Sequence, residues 1–177
     1  MPSLNSTVTG ESWMIFTKVV IGVWLAVWLY AALHNQYLIR IAPEHFTVWH
    51  YKMPYFTSHT MLGIAYAFAA SISPGVMLGV FLYIAGRLFS RPKLTPKQII
   101  LSTIWVWVAV EICAGLVGLM VWRTGKGIYP DWVYPDNSVG LLITQSIQIT
   151  AYLTGAVFSC ILIAYTWQKR KSRMEKS

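Results

Sequence analysis

Acidic residues are scarce in this sequence, with six Asp and Glu in 177 residues against fourteen Lys and Arg. Only 11% of the chain is charged and 56% is hydrophobic. A water-soluble surface needs more charge than that, since soluble domains carry roughly 25% charged residues. Cysteine is nearly absent too. Cys113 and Cys160 both lie inside apolar stretches and share no metal-ligand spacing, so they read as small packing residues and say nothing about redox compartment. No HExxH and no paired Glu-x-x-His occurs, which removes the familiar helical metal-site signatures. Outside the membrane flanks no basic stripe carries interleaved aromatics, so nucleic acid is not an expected partner.

What is present is four long apolar blocks, at about 13–33, 57–89, 98–122 and 139–167. Each is long enough to cross the ~30 Å hydrocarbon core of a bilayer. The expected fold is all-α, a four-helix transmembrane bundle forming a single membrane domain over 1–177. The first block is too long for the apolar core of a signal peptide, and no A-x-A triplet precedes His34, so it reads as a retained anchor. The second contains Pro74, which removes a backbone hydrogen bond and predicts a kink or a tilted helix.

The connections differ in charge. Residues 34–56 form a polar outer loop that, with His59 just beyond it, holds all four histidines. Residues 87–97 form a basic turn, 123–138 an aromatic loop with two YPD turns, and 168–177 a basic tail. Ten Lys and Arg fall on the side of the termini and the basic turn, and four on the other. The positive-inside rule then puts both termini in the cytoplasm and the histidine loop outside, as in a multi-pass protein of the inner (cell) membrane. The net charge of +8 is explained by anionic lipid headgroups, which makes the bilayer itself the first partner.

Two groups of residues could carry chemistry. In the outer loop His34, Gln36, Arg40, Glu44 and His50 form a candidate polar site, and His34, His45, His50 and His59 are candidate metal ligands, although His45 and His50 are not spaced for one helix face. Pro43 disfavours a helix running through it and predicts a new short one with Glu44 in its first turn, where Arg40 could pair with it; Phe46, Trp49 and Met53 suit a short interfacial helix. Within the spans Glu111 is the one interior acid, and burying such a group costs ~2.5–3.5 kcal/mol on insertion scales, so it must find partners. Gly115 and Gly118 continue its face, where small residues let a neighbour approach. On the last helix Gln145, Gln148, Tyr152, Gly155 and Ser159 make a polar and small stripe, with Gln148 at about the depth of Glu111. A Glu111–Gln148 intramembrane pair is the expected contact.

The run His34-Asn35-Gln36, then Arg40, Pro43-Glu44-His45-Phe46-Thr47 and His50 resembles the H-D-Q…R…P-E-Y-F-T…H-P pattern of a family of uncharacterised bacterial four-span membrane proteins. Arg91-Pro92-Lys93-Leu94 is similar to that family's R-P-x-L, and Ala114-Gly115-Leu116-Val117-Gly118 to its A-G-L-x-G. Asn35 stands where the pattern has Asp, His45 where it has Tyr, Tyr51 where it has Pro, and Gln148 where the last helix tends to have His. The resemblance implies four spans and singles out His34, Gln36, Arg40, Glu44 and His50. It implies no activity.

The residues favour a structural or accessory membrane protein, held through glycine-lined faces as a homo-oligomer or with a partner membrane subunit. Two other classes stay open: a membrane enzyme or metal-binding protein using the outer loop, and a transporter or channel component with a polar site at Glu111. Neither a substrate nor a cofactor is named by them.

Overall fold

A computed structural model describes residues 13–53, 55–89 and 92–174; the N-terminal tail, part of the basic turn and the last residues lie outside it. Among the described residues there are helices and no strand. In chain order they are α1 (Trp13–Ile41), α2 (Pro43–Thr47), α3 (His59–Arg87), α4 (Pro96–Thr124) and α5 (Val139–Met174), with a short 3-10 turn at Asp131–Val133. Four of them are long and apolar enough to cross a membrane. At 29 residues, α1, α3 and α4 each reach ~43 Å, well beyond a ~30 Å hydrocarbon core.

α1, α4 and α5 are longer than their apolar blocks, whereas α3 stops two residues inside its block at each end. The first continues past Leu33 to Ile41, so His34, Asn35, Gln36 and Arg40 belong to a helix and not to the loop 34–56. Nothing in that stretch breaks a helix until Pro43, and its polar side chains are absorbed by neighbours. Asn35 donates to the Gly63 carbonyl at 3.0 Å and Gln36 to the Thr60 carbonyl at 3.2 Å, both on α3. The tail expected at 168–177 likewise begins as helix, since α5 runs on to Met174. α3 passes Pro74 as one helix.

The helix ends follow local chemistry. Ser58 caps α3 by accepting from the Met61 N–H. Thr95 and Gln98 form a reciprocal capping box on α4, with Pro96 in the first turn. Gly125 ends α4 at φ 63°, a left-handed conformation that glycine adopts without a Cβ clash. Pro43 opens the five-residue α2 with Glu44 in its first turn, as the proline predicts, but the helix stops at Thr47 and Trp49 lies beyond it.

α1 packs chiefly on α3 and α4 on α5, and the two hairpins join through α1 with α4 and α3 with α5. The α1–α3 seam is close because a row spaced by four, Gly63, Ala67, Ser71, Gly75 and Gly79, faces it. A Cβ on Gly79 would stand 2.8 Å from the Val20 Cα, and one on Gly75 3.0 Å from the Trp24 Cα. Gly118 meets Ile147 in the α4–α5 seam, but Gly115, expected to share that role, has nothing within 4 Å of its Cβ position.

The ends of the bundle differ. At the basic end Arg170 is fully buried, and its Nε, Nη1 and Nη2 donate to the carbonyls of Pro92 (2.8 Å), Ala85 (2.6 Å) and Leu88 (2.8 Å). Arg87 donates to the Leu94 carbonyl beside it. This ties the last turn of α3, the basic turn and α5 together. At the histidine end the aromatic loop folds back on α5 through Tyr129–Thr150 and Tyr134–Ser146 hydroxyl contacts, each 2.8 Å.

Candidate functional site

Extending α1 through His34 places Tyr30, His34 and Tyr37 on one face of that helix, at i, i+4 and i+7. All three meet Glu111, which stands in the middle of α4, about 20 Å from either helix end. The Tyr37 hydroxyl donates to Glu111 Oε1 at 2.7 Å, and the Tyr30 hydroxyl to Oε2 at 3.1 Å. His34 Nδ1 lies 2.9 Å from Oε2 and 2.9 Å from the Tyr37 oxygen. Three donors therefore surround one carboxylate. Trp107 stacks on Tyr30, with ring centroids 6.2 Å apart and planes 16° from parallel.

Burial is unequal within this cluster. The His34 side chain is 6% exposed and that of Glu111 42%, so the imidazole lies inside the bundle while the carboxylate opens outward. With the carboxylate ionised, Nδ1–H is the donor and fixes the ring. The far nitrogen of His34, Nε2, is buried and meets no partner in the protein, and the same holds for the indole nitrogens of Trp24 and Trp107. Native proteins leave few such groups; Trp24 packs on Phe68 and Gly75 of α3, whereas His34 and Trp107 belong to the Glu111 cluster, which makes that cluster the place where chemistry would be sought.

This overturns the expected Glu111–Gln148 pair. Depth alone did not decide the partner: Glu111 turns to α1, and Gln148 is engaged elsewhere. Its carboxamide oxygen accepts from His45 Nε2, and its nitrogen donates to the Tyr152 hydroxyl at 2.9 Å. His45 therefore hangs from α2 onto α5, 2% exposed, with Nδ1 buried and unpartnered. His50 packs against it, ring centroids 4.5 Å apart, and donates from Nδ1 to the His45 carbonyl at 2.8 Å. Burial pushes the His45 imidazole down to about 4 from its usual 6.5; the Gln148 hydrogen bond pulls the other way, and the adjacent His50 adds to the fall. At neutral pH His45 is uncharged.

The remaining candidates do not converge. Gln36 is spent on α3, with its Oε1 buried and unpartnered. Arg40 donates to the Gln36 carbonyl of its own helix and makes no pair with Glu44. Glu44 occupies the first turn of α2, half-buried, and His59 is exposed at the start of α3. The four histidines separate into His34 with Glu111, His45 with His50, and His59 alone. Among the described residues no three His, Cys, Asp or Glu side chains are grouped to hold a metal ion. Sequence reasoning missed Tyr30 and Tyr37, although their i, i+4, i+7 spacing about His34 is visible once α1 is followed to Pro43.

No family model, no curated protein and no solved structure matches the chain.

Proposed function

We propose that this is a multi-span membrane protein, belonging with the bacterial four-span proteins that its H-N-Q…R…P-E-x-F-T…H run resembles, whose α1–α4 seam carries a proton-exchanging site open to the bilayer. On this reading it serves as an accessory or subunit protein of the inner membrane, with its termini in the cytoplasm and the Glu111 site facing a lipid-soluble, hydrogen-bonding ligand or a neighbouring subunit. The observation that carries the reading is the contrast within one cluster. Glu111 is held by three donors from α1 yet has two-fifths of its side chain open on the outside of the bundle. A carboxylate serving only to clasp two helices would gain from full enclosure, because exposure to hydrocarbon penalises it. The chemistry available is limited and specific. A hydroxyl approaching Oε from the seam can transfer its proton to the carboxylate, forming a carboxyl O–H and leaving an oxyanion near Tyr30, and His34 keeps the acceptor in place throughout.

A hydrophobic carbodiimide, which adds to membrane-embedded carboxyl groups reached from the lipid, tests the site. Labelling at Glu111, lost in Glu111→Gln and enhanced as pH falls, is the expected result. An inert Glu111 in intact membranes would reduce the cluster to a clasp. Orientation is tested separately: cysteines placed at Asn137 and Ser172 should label from opposite faces of the membrane, and labelling of both from one face would overturn the topology.

A further inference from the structure

We propose that a groove between α4 and α5 at the basic end holds one phospholipid with an anionic headgroup. The groove measures about 610 Å³, within the ~300–1,000 Å³ range of sites that hold small molecules. Its lining changes character along its length. Lys169 and Gln98 stand at the mouth, while Leu101, Trp105, Phe158 and Ile161 make the walls. Lys169 and Phe158 are eleven residues apart on α5, or ~16 Å, about half the ~30 Å hydrocarbon core. The length of the groove is that of one leaflet.

Polarity and shape together select the occupant. Further along, α4 and α5 close up, with Val110 Cγ2 4.0 Å from the position a Cβ on Gly155 would take. A docked helix would cross both leaflets and would need an open seam along its whole length. An acyl chain needs only the half that is open. At the mouth the Lys169 amine lies over the Tyr165 ring, 5.6 Å from its centroid, which holds the cation at headgroup level beside the first turn of α4. Asp and Glu are absent from the described residues of this end, where Lys93, Lys97 and Lys171 add to the positive field. A phosphate without a compensating choline is therefore the complementary headgroup.

The test is native mass spectrometry of the full chain in mild detergent, titrated with phosphatidylglycerol or phosphatidylcholine. The expected result is one retained phosphatidylglycerol per chain, preferred over phosphatidylcholine by about fivefold, the worth of one basic residue beside an anionic surface. Lys169→Gln should abolish the preference while chain-dependent binding persists, and Lys169→Arg should restore it. Ser102→Phe, which adds a ring inside the groove, should remove both lipids without lowering thermal stability. Equal retention of the two lipids by the native protein would overturn the proposal. So would phosphatidylglycerol binding unchanged in both Lys169→Gln and Ser102→Phe, or disulfide-linked dimers through a cysteine placed at Ile161, which would make the groove an interface between copies.

Discussion

At the basic end one guanidinium, Arg170, is entirely buried and gives each of its three nitrogens to a backbone carbonyl. In the middle and at the histidine end Trp24, His34, Gln36, His45, Trp107 and Thr144 each keep a buried polar atom with no partner in the protein. The same four helices thus carry a satisfied end and an unsatisfied one. A buried charge that is fully hydrogen-bonded fixes an arrangement, whereas buried groups left short of partners are retained at a cost of about 1–3 kcal/mol each unless something else meets them. The basic end is thus fixed by its own hydrogen bonds, and the buried polar atoms left without a partner in the protein lie in the middle and at the other end.

The largest effect should come from breaking the satisfied end. Arg170→Ala strands the carbonyls of Ala85, Leu88 and Pro92 and empties a large buried volume, with an expected loss of about 3–5 kcal/mol. Thermal unfolding in detergent should show it, and Arg170→Lys should recover only part, because the three donors of an ammonium sit on one nitrogen and do not span the carbonyls that Nε, Nη1 and Nη2 reach separately. A near-neutral Arg170→Ala would erase the contrast between the ends.

Next in size is a pH effect confined to the histidine end. His45 has a folded pKa of about 4 against an ordinary 6.5, so the unfolded or detached state binds the proton more readily. Its neutral form supports the docked loop fully above pH 6.5, and that support fades as pH falls towards 4, by ~3 kcal/mol at most. Protease accessibility of the segment around Trp49 should rise over this window while the basic turn stays protected. His45→Leu should flatten the response and leave the Gln148 carboxamide oxygen without its donor.

A third comparison sets two glycines against each other. Gly79→Val drives a side chain into the backbone of α1 at Val20, and the seam must part, at about 1–3 kcal/mol. Gly115→Val, on α4 where nothing lies within 4 Å, should be close to neutral in the isolated protein. A large loss at Gly115 would mean that this face is covered by another chain in the membrane.

The two glycines also bear on what is legible in the sequence. Four spans follow from hydropathy, and the short helix at Pro43 follows from proline chemistry. The site did not follow, for two physical reasons. Hydropathy ends the first span at the polar residues after Leu33, although His34, Asn35 and Gln36 break no helix and are accommodated by α3 and α4. Depth points Glu111 to the helix joined to α4 by a loop, whereas the α1–α4 contact joins helices that are not consecutive. Small residues at every fourth position of α3, from Gly63 to Gly79, were the available signal that α1 and α3 form one close hairpin. The openness of Glu111 had no signal in one dimension.

The smallest effect on stability should come from Glu111, the residue on which the proposed proton-exchanging site rests. Glu111→Gln keeps the side chain's shape and an oxygen able to accept from Tyr37, but it swaps the other oxygen for an amide that meets the Tyr30 hydroxyl and His34 Nδ1. Those two can turn their lone pairs towards the amide, His34 by taking its other tautomer, because Nε2 has no partner to lose. Interhelical hydrogen bonds in membranes average only ~0.6 kcal/mol, so the expected change is within about 1 kcal/mol, read as an unchanged melting curve. Glu111→Leu, which leaves the three donors facing an apolar chain, should cost more, about 1–3 kcal/mol. A proton-exchanging site predicts that Gln and Leu are equally inactive in any coupled activity while differing in stability. A clasp predicts that function follows stability through the series, with Gln near native and Leu impaired.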